Sequence, residues 1–342
     1  MLLLSYKVIC QRILNRWEIA MDWICEGNGL YDNEFENLVM DGDFIKLSQS
    51  FYEGYLVTPV IETTEFTEIT PSWNSRTNKE NSVELLIRLK IGENWTQYIS
   101  YGIWSTDGNN IGIKEDQSSE LVRVTTDRIF VNHGLYADSV QIKVIFRGKE
   151  PKLRLIAFST DAGAEEKIDG DYLKIIENVP MISQLASGHK VCHSICSPTS
   201  LTMVLKYHHV PVELNDVTKG TFNTGSELYG DWPQNVAYAG EQGMRAYTEK
   251  CVSINTVKNL VARDIPVVAS VVSKSKDELE GAISAFPDGH LMVVIGFKII
   301  DGIEYIVVND PAANSDEEVR KYYKSEQWIR AWRHYIYNIT KI

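Results

Sequence analysis

Long hydrophobic runs are missing from this 342-residue sequence: no stretch approaches the ~20 apolar residues that a membrane-spanning helix requires. The apolar start, Met1 to Leu4, is short and is followed by Lys7, Arg12 and Arg16, so it lacks the h-region and the small-residue cleavage site of a signal peptide. A cytoplasmic protein is expected as written, with secretion left open if the start site is misassigned. Basic clusters are equally scarce. With 34 Lys and Arg against 46 Asp and Glu, the net charge of −12 repels a phosphate backbone, and no Lys/Arg-dense stretch reverses that field locally. Nucleic acid is therefore not an expected partner. Cysteines are few and odd in number (Cys10, Cys25, Cys192, Cys196 and Cys251), which argues against a disulfide framework and for thiols valued individually. Internal repeats and low-complexity tracts are absent.

What is present reads as ordinary globular protein, 44% hydrophobic and 23% charged, and long enough for two cores. An amphipathic helix is predicted over residues 5–26, because Val8, Ile9, Ile13, Leu14, Trp17, Met21 and Ile24 recur near helical spacing. It would form a packing extension over residues 1–40. Across residues 41–160 the period becomes two: Val83, Leu85, Ile87 and Leu89 alternate with polar residues, as do Ile142, Val144 and Phe146. With turn signals such as Asp107-Gly108-Asn109-Asn110, this predicts an antiparallel β-sandwich. Trp73, Trp95 and Trp104 are candidates for a glycan- or peptide-binding face, although sandwich aromatics are more often core. The small, polar stretch 161–170 marks a linker.

Residues 171–342 read as α+β and are expected to fold without the sandwich. A helix is predicted after Cys196, with Pro198 in its first turn and Leu201, Val204, Leu205 and His208 on one face. Further helices are expected over 233–243 and 254–264, and buried strands over 267–272, 291–297 and 305–309.

Cys196 stands where a helix begins, beside unpaired N–H groups and the positive end of the dipole, and both favour the nucleophilic thiolate. His290 opens one predicted strand, and the next runs into Asp310. With Asp301-Gly302 as a two-residue turn, residue 290 falls opposite residue 313, so a bulge or longer loop must close the offset between His290 and Asp310. A carboxylate beside an imidazole fixes its tautomer and leaves the other nitrogen for a nucleophile. Gln184 offers an amide donor which, with the Cys196 N–H, would make a two-donor oxyanion hole.

These residues lie in ordered motifs: Val179-Pro-x-x-Ser-Gln184, Cys196-Ser-Pro-Thr-Ser200, Gly289-His290, Asn309-Asp310-Pro311-Ala312 and Asp231-Trp232-Pro233-Gln-Asn235. In order and context they resemble the papain-like, C39-like bacterial cysteine peptidases, of the stand-alone branch with an N-terminal β-sandwich carrying Ser72-Trp73-Asn74. The relatives of this family in ABC exporters cleave double-glycine leader peptides. The resemblance implies a papain-like domain acting on a peptide or protein substrate without a cofactor. It implies that Cys196 is the nucleophile, His290 the general base and acid, Asp310 its orienting group and Gln184 the oxyanion donor. Ile195 stands where close relatives carry Trp, and no ABC-transporter ATPase or membrane domain accompanies the motifs.

Other readings stay open on the residues. His189-x-x-Cys192 and His193-x-x-Cys196 put four soft ligands close together, yet zinc sites usually draw a second ligand pair from a distant segment, so no metal is expected. The same Cys-His-Asp set serves other acyl transferases and amidases. A non-catalytic glycan- or peptide-binding protein is a third possibility, against which the intact set of four residues speaks.

Overall fold

The computed structural model describes residues 22–106, 110–113 and 115–342. All strand pairs in it are antiparallel, and five α-helices accompany three sheets: α1 (Cys196–Tyr207), α2 (Leu214–Gly220), α3 (Trp232–Glu241), α4 (Ile254–Ala262) and α5 (Ser325–Ala331).

Two sheets build the first half. One has seven strands around Glu68–Arg76 and Lys152–Thr160; the other has eight around Asn81–Ile91 and Ala137–Gly148. Period-two patterning decides which side of these strands is buried. Val83, Leu85, Ile87 and Leu89 are fully enclosed, as are Val140, Ile142, Val144 and Phe146 on the paired strand, while Glu84, Arg88 and Lys143 between them stay partly exposed.

Residues 22–40 differ from the expected helical extension. Asp22–Glu26 is a strand paired with 155–159, with Trp23 stacked on Phe158 at 5.5 Å. Glu34–Glu36 and Leu38–Asp41 also join the two sheets. Helical spacing at 22–26 loses to the open edge of Lys152–Thr160, which offers a ladder of backbone partners. Residues 5–21 of the predicted helix lie outside the described residues, as does most of the 107–110 turn. Of the three tryptophans proposed for a binding face, Trp73 and Trp104 are core residues with 1% and 0% exposure. Trp95 is partly exposed and lies under the Arg88 guanidinium.

The third sheet has six strands in the order Arg245–Lys250, Trp332–Thr340, Val267–Ser273, Phe286–Ile300, Ile303–Asn309 and Arg320–Lys324. Helices α1, α4 and α5 pack against it, so the strand runs around 268 and 294 are buried on both faces. The predicted helices and strands of this half are all present, with ends that agree or differ by up to five residues.

Between the two halves lies a closely fitted contact. Arg245–Lys250 is an edge strand, and its outward N–H groups are met by side chains of the seven-stranded sheet. Asn74 exchanges two hydrogen bonds with the backbone of Ala246 (2.7 and 3.0 Å), Ser72 Oγ accepts from Thr248 N–H (2.9 Å) and Ser159 Oγ accepts from Lys250 N–H (2.8 Å). An edge that would otherwise template aggregation is thereby closed. Helix α3 lies against Glu68–Arg76 so closely that a Cβ on Gly240 would come within 2.6 Å of Asn74. Residues 161–170 carry neither helix nor strand.

Candidate active site

The chemistry-bearing residues meet where the N-terminus of α1 abuts the strand Phe286–Ile300. Two local features of the sequence bring His290 and Asp310 together. The first is the turn Asp301-Gly302, with φ of 50° and 79°, which sets Ile300 opposite Ile303 as a type I′ hairpin requires. The second is a bulge: Val294 pairs with Val308 but Gly296 with Val307, so Ile295 is an extra residue. The bulge accommodates the segment arriving at the sheet, since Ile176 N–H bonds Ile295 O (2.7 Å) and Phe297 N–H bonds Lys174 O (2.9 Å). Gly296 permits this approach, as a Cβ there would lie 2.2 Å from the Lys174 carbonyl oxygen. The one-residue shift moves position 290 towards 312 rather than 313.

His290 Nε2 then lies 2.7 Å from Asp310 Oδ1. The carboxylate is fully engaged: Oδ1 also accepts from Ala312 N–H (2.9 Å) and Oδ2 from the Tyr323 hydroxyl (2.8 Å). Phe286 stacks on the imidazole at 4.1 Å and 12°, clamping its plane. With Nε2 directed at Asp310, Nδ1 is the nitrogen left to face Cys196, whose thiol the ring influences through charge and hydrogen bonding. His290 and Asp310 are buried, at 3% and 0% exposure, whereas Cys196 stays partly exposed and so is the member a substrate can reach.

The electrostatics follow from this packing. Burial pushes the Cys196 thiol up, but the hydrogen bond and charge of His290 and the N–H groups of Leu291 and Ser197 outweigh it, and the thiol pKa falls below its ordinary value. For His290, burial favours the neutral ring, but the charge and hydrogen bond of Asp310, with Cys196, raise it to about 10. Burial also opposes the charge of Asp310, which His290, Tyr323 and the Ala312 N–H nevertheless hold below the usual carboxylate range. Each shift favours the charged form relative to the free group: thiolate, imidazolium and carboxylate in a row. By contrast, burial drives Cys251 well above its ordinary value.

Gln184 sits against the same corner. Its backbone N–H bonds Pro311 O (2.9 Å), its Nε2 donates to the Cys192 carbonyl (2.8 Å), and its buried Oε1 has no partner. The motifs around Gln184 and Asp310 are laced together: Asn309 Nδ2 donates to Pro180 O (2.9 Å) and Ser183 Oγ to Ala313 O (2.6 Å). Ile195, fully buried, is the N-cap residue of α1 and supplies no side-chain cap. Among the described residues no group of three or more His, Cys, Asp or Glu side chains is placed to hold a metal.

Sequence reasoning missed Tyr323 and Phe286. Tyr323 belongs to Arg-Lys-Tyr-Tyr-Lys, which reads as a polar edge strand, and only its pairing opposite Ile306 directs it to Asp310. Phe286 precedes His290 by four residues, with nothing to signal contact until the strand is known to extend back to 286.

Residues 176–338 match the peptidase C39-like family, and residues 34–160 match the peptidase C39 N-terminal domain. No curated protein matches the chain. Among solved structures, a double glycine motif protease from an AMS/PCAT transporter, in complex with the leader peptide, is similar at 16% identity and a TM-score of 0.34, over 50% of this chain and 99% of that one. The peptidase domain of Streptococcus ComA, a bifunctional ABC transporter of a quorum-sensing pathway, is similar at 12% identity and a TM-score of 0.34, over 48% of this chain and 100% of that one. The chain thus carries a peptidase C39-like region at 176–338 behind a peptidase C39 N-terminal domain at 34–160.

Proposed function

We propose that this protein is a cysteine peptidase whose second half is a papain-like domain, carried behind an N-terminal β-sandwich, with Cys196 as nucleophile, His290 as base and acid, and Asp310 as the orienting residue. The observation that carries the reading is the row of Cys196, His290 and Asp310 at a helix N-terminus, with His290 Nε2 2.7 Å from Asp310 Oδ1, the imidazole acting on the Cys196 thiol, and Cys196 the one of the three that keeps partial exposure. A thiolate already paired with imidazolium attacks a peptide carbonyl directly; His290 then protonates the departing amine, and water, deprotonated by His290, resolves the thioester. The developing oxyanion needs donors, and the Cys196 N–H and the second Nε2 proton of Gln184 are suited to that place. The substrate class is a peptide or protein.

The test is chemical. Iodoacetamide near pH 6 should label Cys196 in preference to Cys192 and Cys251, and an electrophilic peptide-like probe should label it in the wild type but not in Cys196→Ala. Labelling at equal rates on all three thiols would refute an activated nucleophile.

A further inference from the structure

Ser197, the residue after the nucleophile, is completely buried, and its hydroxyl donates to Asn235 Oδ1 (2.8 Å) and meets the Tyr337 hydroxyl (2.9 Å). Ser197 is joined to Cys196 by a peptide bond in the first turn of α1, so where the Ser197 side chain is anchored decides how the nucleophile's backbone, and the Ser197 N–H that helps lower its pKa, are aimed. Asn235 is itself over-determined: Nδ2 donates to Asp231 O (2.7 Å) and Tyr229 O (2.9 Å), and the residue has 0% exposure.

The first turn of α3, which carries Asn235, is closed partly by the other half of the molecule. Trp232 N–H donates to Asp127 Oδ1 (2.7 Å), from the turn between the strands Val122–Val124 and Ile129–Val131. Pro233 has no N–H to satisfy, Gln234 N–H reaches the N-cap Asp231 Oδ1 (3.5 Å), and Asn235 N–H bonds Asp231 O (3.0 Å). Asp127 therefore takes the one first-turn donor that the peptidase half leaves without an acceptor. A continuous line of hydrogen bonds runs from Asp127 through the start of α3 and Asn235 to Ser197.

We propose that Asn235 and Asp127 are positioning residues for the Cys196 nucleophile, so that the N-terminal half contributes to the reactivity of the site and not only to its stability. The proposal rests on the peptidase reading for its purpose, but its test does not need a substrate. Neither residue touches the sulfur; they act by anchoring Ser197, the residue peptide-bonded to Cys196.

The rate of Cys196 alkylation by iodoacetamide is measured against pH on the full chain, with the adduct quantified by mass spectrometry and folding checked by circular dichroism. The groups facing the thiol, namely His290 with Asp310 behind it and Tyr337, are unchanged in every variant. In Asn235→Ala the acid limb should move up by about one pH unit, leaving about tenfold less thiolate below it. Asp127→Ala should move it the same way by a few-fold, and Asp127→Asn, which keeps an oxygen acceptor for Trp232 N–H, should stay near wild type. The sign is diagnostic: burial raises Asp127 to about 6, so it carries little charge on the acid limb, and loss of what charge it has would make the thiolate easier to form in Ala and Asn alike, so an upward shift in Ala alone reports the lost acceptor for Trp232 N–H. A folded Asn235→Ala with the wild-type profile overturns the proposal. Should that variant not fold, the Asp127 pair decides: Ala shifted upward with Asn unshifted supports positioning, whereas equal profiles, or a downward shift for both, overturn it. A wild-type profile without a depressed acid limb sinks the peptidase reading and this inference together; a depressed limb indifferent to both residues sinks this inference alone.

Discussion

Replacing Asp310 separates two roles of a third residue, holding the imidazole and charging it. In Asp310→Asn the oxygen at the Oδ1 position still accepts from His290 Nε2–H and Ala312 N–H, and the new amide faces the Tyr323 hydroxyl, which can turn from donor to acceptor. No buried group loses its partner. Asp310→Ala instead leaves the imidazolium, the Ala312 N–H and the Tyr323 hydroxyl without theirs, and breaking a buried ion pair in this way costs about 3–5 kcal/mol. On the proposed reading the resting thiolate already stabilises the imidazolium, so orientation is the larger part of the work of Asp310. We expect kcat/KM to fall by roughly tenfold in the Asn variant and by about 10³-fold in the Ala variant. The pH profile should change as well. His290 is held at about 10 chiefly by Asp310, so the wild-type alkaline limb lies near that value, and loss of the carboxylate charge moves it down. For stability the sign is the same: the raised His290 contributes fully below its unfolded pKa near 6.5, and the contribution fades as pH rises through about 10. The assay is kcat/KM from pH 5 to 11 on a peptide found by library screening. Equal damage from Asn and Ala, or an alkaline limb unmoved in Asp310→Asn, would refute the reasoning.

Two further outcomes follow from the packing. The fragment 171–342, expected from its sequence to fold alone, should be insoluble or molten, because it exposes the N–H edge at Ala246, Thr248 and Lys250 that Asn74, Ser72 and Ser159 cover; a soluble fragment with a cooperative melt would show that edge to be dispensable. Glu249 is raised to about 7, first by burial and then by Glu166, against the hydrogen bond from Asn338, so its unfavourable ionisation erodes stability as pH rises from its unfolded pKa through about 7. Glu249→Gln should therefore gain on the order of 1–3 kcal/mol over wild type at pH 8 and little at pH 5, read as melting temperature; a gain independent of pH would mean that Glu249 does not titrate there.

Much of the candidate site was legible because its signals are local. A cysteine just ahead of Pro198, a histidine at the edge of an apolar run, and an Asp-Gly turn between two strands are each written within a few residues, and helix termini and type I′ turns are decided at that range. The alternation that buries Val83, Leu85 and Ile87 is likewise a property of the strand itself. Other features depended on partners far away in the chain. The pattern at 22–26 could serve a helix or a strand, and the unfilled edge at 155–159 settled it. Trp73 and Trp104 went to the core, with Trp104 Nε1 donating to Glu241 of α3 (3.2 Å), because α3 covers what the two sheets alone would leave open. The Ile295 bulge, the Tyr323 hydroxyl on Asp310 and the Asp127 acceptor at α3 were decided only by tertiary structure. A bulge needs the segment that presses on it, and a buried hydrogen bond needs both partners to have already been brought together by the rest of the fold.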